Sequence, residues 1–238
     1  MRQVFRYDII GSKMQVEWRL VMIEKAADRE RKAYLADPCG TLSIPYYKGK
    51  SLTVPPDLRI VHQRDFSPEE WKGWQDTPYF RLYHNLSHIP HAHTPDGCQI
   101  SNIDVTDCSA VSELIGLCYG FTLSEAEVYS WRQRPWFRPE LWLQLLDNKG
   151  QMMGAVLAEF DPEMGEGVLD WVQVHPDYRR RDIGVTLVSA LLERLRKMAD
   201  FATVSGEINN PCMPEALYRR CGFWGNDVWH ILRKGREP

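Results

Sequence analysis

Little in this chain of 238 residues suits a membrane or a disulfide scaffold. No apolar run approaches the roughly 20 residues that a spanning helix requires. The opening stretch, MRQVFRYDIIGSKMQ, is charged and interrupted and lacks an apolar signal core, so residence in the cytoplasm with no membrane partner is expected. The six cysteines, Cys39, Cys98, Cys108, Cys118, Cys212 and Cys221, form no CxxC spacing and are too sparse for a disulfide framework, so reduced thiols are expected. No internal repeat and no low-complexity tract is present. Nor is one sign of charge in excess: 29 Lys and Arg face 32 Asp and Glu, and the net charge of −3 gives no general attraction for nucleic acid.

What is present is core-forming material. Hydrophobic residues make up 44% of the chain, with nine Trp and ten Tyr, as in a packed globular protein. From residue 97 onward the pattern alternates between strands and helices. Cys98–Ile103 alternates like a strand, and Thr106 reads as the cap of a helix that stops at Gly120. A second helix is expected from a Thr122 or Ser124 cap, with Glu125 and Glu127 in its first turn. LWLQLLD and QMMGAVLAEF flank Asn148-Lys149-Gly150, a hairpin signal, and GVLDWVQV supplies a neighbouring strand. Ile183, Leu187, Leu191 and Leu195 recur every four residues and predict a helix lying on that sheet. A strand FATVSGEI, a short helix around Tyr218 and a last strand from Phe223 complete the order.

Residues 1–96 read as an N-terminal extension packed on the domain formed by residues 97–238. Gln15–Leu35 reads as one long amphipathic helix, Leu58–His62 as a short strand, and Ser67-Pro68-Glu69-Glu70 as the capped start of a helix with Trp71 and Trp74. Between them an arm rich in Pro, Gly and Tyr, residues 37–56, is expected to be extended and ordered.

The segment LDWVQVHPDYRRRDIGV, Leu169–Val185, reads as a buried strand, a turn at Pro176-Asp177 and a basic loop opening a helix. Helix-terminal N–H groups, the helix dipole and Arg179, Arg180 and Arg181 converge there, which suits a pyrophosphate. The plain alternative is that Asp182 caps an ordinary helix beside a solvated turn. Forty residues on stands NNPCMPEALYRRCGF, an Asn-rich turn, a short helix from Pro214 at a first-turn position, and a return into a strand.

These two segments, in this order and spacing, resemble the acyl-CoA-binding core of the GCN5-related N-acetyltransferase (GNAT) superfamily, in a bacterial form with an N-terminal extension. The superfamily's cofactor loop, Gln or Arg, two residues, Gly, one residue, Gly or Ala, falls on Arg179, Arg180, Arg181, Asp182, Ile183 and Gly184, with Asp182 in place of the first glycine. Its Asn…LY…GF signature falls on Asn210, Leu217, Tyr218, Gly222 and Phe223; Asn210 to Tyr218 is one residue longer than usual, so Asn209 could serve instead. The resemblance implies an α+β fold with a central mixed, mostly antiparallel sheet flanked by helices. It implies acetyl-CoA or coenzyme A as co-substrate, and acetyl or short-acyl transfer to a primary amine by direct attack in a ternary complex. Cofactor contacts would come from the strand edge Val172, Gln173 and Val174, where the pantetheine arm adds as a strand, from Arg179 to Val185, and from Asn209 or Asn210.

Catalysis of this kind needs an ammonium deprotonated, a carbonyl polarised and a proton for the departing thiolate. Tyr218 is the expected proton donor, against the alternative of a packed helix tyrosine. Asp170, a carboxylate between Leu169 and Trp171 on an apolar strand, is the expected base. Glu166, nearer the strand's start and expected to be solvated, is second choice; a water relay joined by His175, or a purely structural Asp170, stays open. Trp131, Trp136 and Phe137 in SWRQRPWFRPELW lie in a region that often borders the acceptor pocket in this superfamily. HNLSHIPHAH holds His84 and His88 at helical spacing, with His91 and His93 beyond, but no Cys or carboxylate at ligand spacing, so no metal is expected. The acceptor stays open, small molecule or peptide, and a homodimer is allowed. The alternative to an enzyme is a weak acyl-CoA sensor or interaction module.

Overall fold

The computed structural model describes residues 28–41, 56–104, 106 and 108–234. These described residues divide into two compact units, the first drawn from the ranges 1–82, 205–213 and 225–238 and the second from 83–204 and 214–224. Within the described residues the elements run α1 (Asp28–Ala36), β1 (Leu58–His62), β2 (Trp74–His84), β3 (Gln99–Asn102), α2 (Ser109–Tyr119), α3 (Glu125–Trp131), β4 (Phe137–Leu146), β5 (Met152–Asp161), β6 (Glu166–Val174), α4 (Ile183–Leu195), β7 (Phe201–Glu207), α5 (Pro214–Arg220) and β8 (Trp224–Lys234).

In the first unit β1 pairs antiparallel with β8, from Leu58 opposite Arg233 to His62 opposite Trp229. Tyr34 of α1 is fully buried, and its hydroxyl accepts from Arg81 Nη2 at 2.9 Å. The helix expected over Gln15–Leu35 is described only from Asp28; residues 15–27, and residues 42–55 of the arm, lie outside the described residues. The helix expected from Ser67 does not form. Residues 68–73 are consecutive turns, closed by Glu70 N to Ser67 O and Trp74 N to Trp71 O, and Gly73 at φ +87° delivers the chain directly into β2. A left-handed residue ends a helix wherever it falls, and here it falls before one full run of helical bonds.

The second unit holds the strands in the order β7-β6-β5-β4-β3. The pairs β3–β4, β4–β5 and β5–β6 are antiparallel and β6–β7 is parallel. The hairpin between β4 and β5 closes as its sequence indicates, with Gly150 at φ +79° donating to Asp147 O. On one face α4 buries Ile183, Leu187, Leu191 and Leu195, all at most 1% exposed. Two sheet glycines let it sit close: a Cβ on Gly167 would stand 2.5 Å from Leu195 Cδ2, and one on Gly154 3.0 Å from Leu187 Cδ1. The other face carries Trp171, stacked on Trp131 of α3 at 5.4 Å and edge-on to Tyr119 of α2 at 5.8 Å.

Helix α3 opens on a complete capping box of Ser124 and Glu127, while the N-cap of α2 is Cys108, two residues beyond the expected Thr106. Thr106 is taken up in a local turn, its N–H and hydroxyl both donating to Asp104 Oδ1 at 2.8 Å, a competing use common for short polar side chains. Gly120 ends α2 in the left-handed region, as expected. The fold is thus a mixed sheet of eight strands flanked by helices. No helix among the described residues is long and apolar enough to cross a membrane.

Candidate functional site

The centre of the second unit is an irregularity in β6. Its parallel pairing with β7 runs from Glu166 opposite Phe201 to Leu169 opposite Val204. On its other side the register to β5 slips: Ala158 faces Leu169 but Leu157 faces Trp171, so Asp170 is the extra residue of a β-bulge. A bulge re-aims the side chains that follow it. Gly167 and Val174 therefore both face α4, Gly167 against Leu195 and Val174 near Gly184, although seven residues separate them. An odd separation on one face is impossible in a regular strand. Trp171 and Gln173 consequently share the opposite face with α2 and α3.

Past Leu169, the N–H and C=O groups of β6 on the side toward β7 are outside the β6–β7 register. That stretch contains Val172, Gln173 and Val174, the edge on which a pantetheine arm could add. Gln173 is 2% exposed, and neither its Nε2 nor its Oε1 has a hydrogen-bond partner among the described residues. A buried amide left without partners is costly and marks a place for a ligand or water.

After β6 the chain turns through Pro176–Tyr178, a single 3-10 turn. His175 serves this turn, its Nδ1 accepting from Asp177 N at 3.3 Å, and Arg179 Nε donates back to Val174 O at 3.3 Å. Arg180 and Asp182 both stand at φ +58°, in the left-handed region that favours glycine. The first helical bond of α4 is Thr186 N to Asp182 O, so the N–H groups of Ile183, Gly184 and Val185 have no partner inside the helix. Gly184 is needed for close packing, since a Cβ there would stand 3.0 Å from Leu217 of α5. Arg179, Arg180 and Arg181 are exposed beside these amides, and Arg181 lies over the Tyr178 ring. Helix N-terminus, turn and guanidinium groups thus fit a pyrophosphate.

Asp182 occupies the N-cap position of α4, but its side chain makes no cap hydrogen bond. It pairs instead with Arg220 of α5, Nη1 to Oδ1 at 2.9 Å. The helix-capping alternative is therefore corrected: a left-handed N-cap residue directs its side chain away from the helix amides, and a guanidinium waits there. The same pair holds the Arg220 charge more firmly than usual.

Tyr218 lies on α5, which begins at Pro214 as its sequence indicates. It is 6% exposed and packs edge-on against Phe223 at 5.8 Å. Burial, then Tyr119 and Cys221, hold its phenol far above the ordinary range, so it keeps its proton at every physiological pH. Burial likewise pushes the adjacent Cys221 thiol up to about 12. Asn209 and Asn210 belong to the other compact unit. Asn210 Oδ1 accepts from Cys212 N at 2.9 Å, a local turn, and Asn209 is exposed.

The two carboxylates of β6 have different surroundings. Glu166, expected to be solvated, is fully buried and accepts from Thr203 Oγ1 of β7 at 2.5 Å. Its place inside the parallel β6–β7 pairing, not its distance from the strand's end, decides this. Asp170 lines a cleft with Trp131, Arg134, Phe137, Trp142, Leu157, Glu159 and Trp171. Arg134 Nη1 is 2.6 Å from Glu159 Oε1 and 3.9 Å from Asp170 Oδ2. Glu159, Arg134 and Trp142 were not legible as site residues, because their association rests on the β4–β5–β6 register.

The histidine-rich stretch is not helical. His84 ends β2, buried, with Nδ1 accepting from Leu86 N at 2.8 Å, and His88 Nδ1 is 3.0 Å from Ser87 Oγ. Among the described residues no group of three or more His, Cys, Asp or Glu could hold a metal ion.

The model of the acetyltransferase (GNAT) family matches residues 108–223. No curated protein matches the chain. Among solved structures, a GCN5-related N-acetyltransferase from Sphaerobacter thermophilus is 21% identical, with a TM-score of 0.64, covering 76% of this chain and 60% of that one. An acetyltransferase of the GNAT family from Colwellia psychrerythraea is 13% identical, with a TM-score of 0.56, covering 74% of this chain and 64% of that one. This chain therefore spans well under the full length of either. At such identities the likeness is one of fold, and it agrees with the bulged strand, the Arg-rich loop and the buried Tyr218 helix of residues 108–223. Residues 108–223 thus carry a domain of the acetyltransferase (GNAT) family.

Proposed function

We propose that this protein is an acyl-CoA-dependent N-acetyltransferase, moving an acetyl or short acyl group to a primary amine in a ternary complex. The observation that carries this reading is the run of β6 past its last pair with β7 into an exposed, Arg-rich loop whose next amides open α4. Val172, Gln173 and Val174 would hold the pantetheine arm. Arg179, Arg180, Arg181 and Asp182, with the amides of Ile183, Gly184 and Val185, would hold the pyrophosphate. Acetyl-CoA, when bound, supplies the activated thioester.

Tyr218 donates to the sulfur as its charge develops. A thiol is ordinarily more acidic than a phenol, about 8.5 against about 10, and burial widens that gap here, so Tyr218 acts first as a hydrogen-bond donor. Asp170 takes the proton of the incoming ammonium, directly or through a water. The acceptor is the primary amine of a small molecule or a peptide.

The test is direct. Acetyl-CoA should raise the melting temperature through native-state binding, and a panel of amines should release free CoA thiol. An absence of any thermal shift at millimolar acetyl-CoA would remove the cofactor assignment.

A further inference from the structure

Resting on the acetyltransferase reading, we infer that Tyr178 is a positioning residue for the cofactor: its ring carries the Arg181 guanidinium for the pyrophosphate, and its hydroxyl occupies the Asp147 carboxylate that would otherwise capture that guanidinium. Tyr178 belongs to the 3-10 turn between β6 and the Arg-rich loop. Through it that loop is tied to the hairpin between β4 and β5.

The anchor is Asp147, the first residue after β4. Its Oδ1 accepts from Lys149 N at 2.8 Å and from Gln151 N at 2.9 Å, which organises the hairpin turn, and its Oδ2 accepts from the Tyr178 hydroxyl at 3.1 Å. The Gln151 N–H above all, with Lys149 N and the Tyr178 hydroxyl, holds the Asp147 carboxyl below its ordinary range, so it is an anion at neutral pH. Desolvation, and then this same bond, hold the Tyr178 phenol above its ordinary value, so it remains a donor. Both carboxylate oxygens are thereby engaged. The Tyr178 ring is fixed at its hydroxyl end by Asp147 and meets the His175 ring edge-on, with centroids 5.6 Å apart.

That ring in turn carries Arg181, whose guanidinium carbon lies 5.5 Å from the ring centroid. Among the described residues Arg181 has no hydrogen bond and no ion pair, whereas Arg179 gives its Nε to Val174 O and Arg220 is paired with Asp182. The difference is chemical. A ring holds a guanidinium by its π face and takes none of its five N–H donors. The fork stays free for a bidentate bond to a phosphate, two residues ahead of Ile183, the first of the unpaired amides of α4. A carboxylate in the same place would take that fork. Asp147 and Asp177 both act on the Tyr178 phenol in opposition to Arg181, so carboxylates are at hand. A tyrosine that satisfies Asp147 and stacks on the cation keeps the two charges apart.

Calorimetric titration of the full-length protein with acetyl-CoA, beside thermal melts, tests this. Arg181→Gln is expected to weaken acetyl-CoA binding by roughly tenfold, the loss of one charge-assisted phosphate contact. Tyr178→Phe keeps the ring but frees the Asp147 carboxylate, and is expected to weaken binding by about fivefold, the scale of one exposed ion pair. Asp147→Asn retains an acceptor for Lys149 N and Gln151 N and removes only the charge. Alone it should change the affinity by less than about twofold; combined with Tyr178→Phe it should restore the affinity to within about twofold of the parent. A packing defect at position 178 is not repaired by a charge change at Asp147, so this rescue separates capture of Arg181 from a merely structural role. In an Arg181→Gln background Tyr178→Phe should have no further effect. Parental affinity in Tyr178→Phe, or a loss there that Asp147→Asn does not restore, would overturn the inference. Parental affinity in Arg181→Gln would do the same without any change at Tyr178. An absence of acetyl-CoA binding in the parent protein would instead overturn the acetyltransferase reading, and this inference with it.

Discussion

Arg220 Nη1 lies 2.9 Å from Asp182 Oδ1, joining α5 to the position where the GNAT cofactor loop ordinarily has its first glycine. Asp182 keeps the left-handed backbone of that glycine, φ +58°, and adds a carboxylate beside the proposed pyrophosphate site. Both side chains are largely exposed, so the pair contributes little to stability. Its effect should fall on the ligand. Arg220→Ala leaves the Asp182 charge uncompensated and is expected to weaken acetyl-CoA binding several-fold. Asp182→Gly should bind at least as tightly as the parent, and the double variant should recover most of the loss. A double-mutant cycle by calorimetric titration measures this coupling, and strictly additive effects would contradict it.

Tyr218 carries the second prediction. Tyr218→Phe keeps the ring against Phe223 and removes only the hydroxyl, so kcat is expected to fall by about a hundredfold with the acetyl-CoA affinity nearly unchanged. Because burial holds the phenol far above its ordinary value, Tyr218 should add no descending limb to the pH–rate profile below about pH 9. Wild-type turnover by the phenylalanine variant would withdraw the proton-donor role.

His84 makes stability depend on pH. Burial lowers its folded pKa below the ordinary 6.5, although backbone hydrogen bonds with Cys221 and His88 act the other way. The unfolded chain therefore binds the proton more readily than the folded one. Stability is complete above about pH 6.5 and is lost as the pH falls from there through the lowered folded value. Protonation also removes the lone pair with which Nδ1 accepts from Leu86 N. Melting temperatures between pH 8 and pH 5 should decline on the acid side, and His84→Asn, which retains an acceptor near that amide, should decline less. Parallel curves for the two proteins would assign the acid loss to other groups.

The contrast between what could and could not be read from the sequence follows range of interaction. The helix at Ile183–Leu195, the hairpin at Gly150, the capping box at Ser124 and the start of α5 at Pro214 were legible because each depends on residues within one or two turns of chain. The helix at Ser67 was misread because its cap and charge pattern say nothing of Gly73, where the backbone turns left-handed. At the site, Arg179 to Val185 and Tyr218 stood out as local motifs. The environments of the carboxylates did not. Whether Glu166 or Asp170 meets the cleft depends on which residue of β6 bulges against β5 and where β7 departs, and those pairings join positions 11 to 35 residues apart.

Two glycines under α4 separate a stability effect from a ligand effect, which gives the last prediction. At Gly167 an added Cβ meets only the tip of Leu195, with Cδ2 at 2.5 Å, and a side-chain rotation can relieve part of the clash. At Gly154 the nearest atom is the backbone carbonyl of Gln173, at 2.7 Å, with Leu187 Cδ1 at 3.0 Å behind it. A methyl group there can be accommodated only by moving β6 itself, along the edge assigned to the pantetheine arm. Both alanine variants should lose stability, on the order of 1–3 kcal/mol as for other overpacked cores. Only Gly154→Ala should also weaken acetyl-CoA binding, by several-fold, because it displaces Val172–Val174 relative to the loop at Arg179–Val185. Thermal melts paired with calorimetric titration distinguish the cases. Equal acetyl-CoA affinity in the two variants, at comparable loss of stability, would show that the β6 edge near Gln173 does not contact the cofactor.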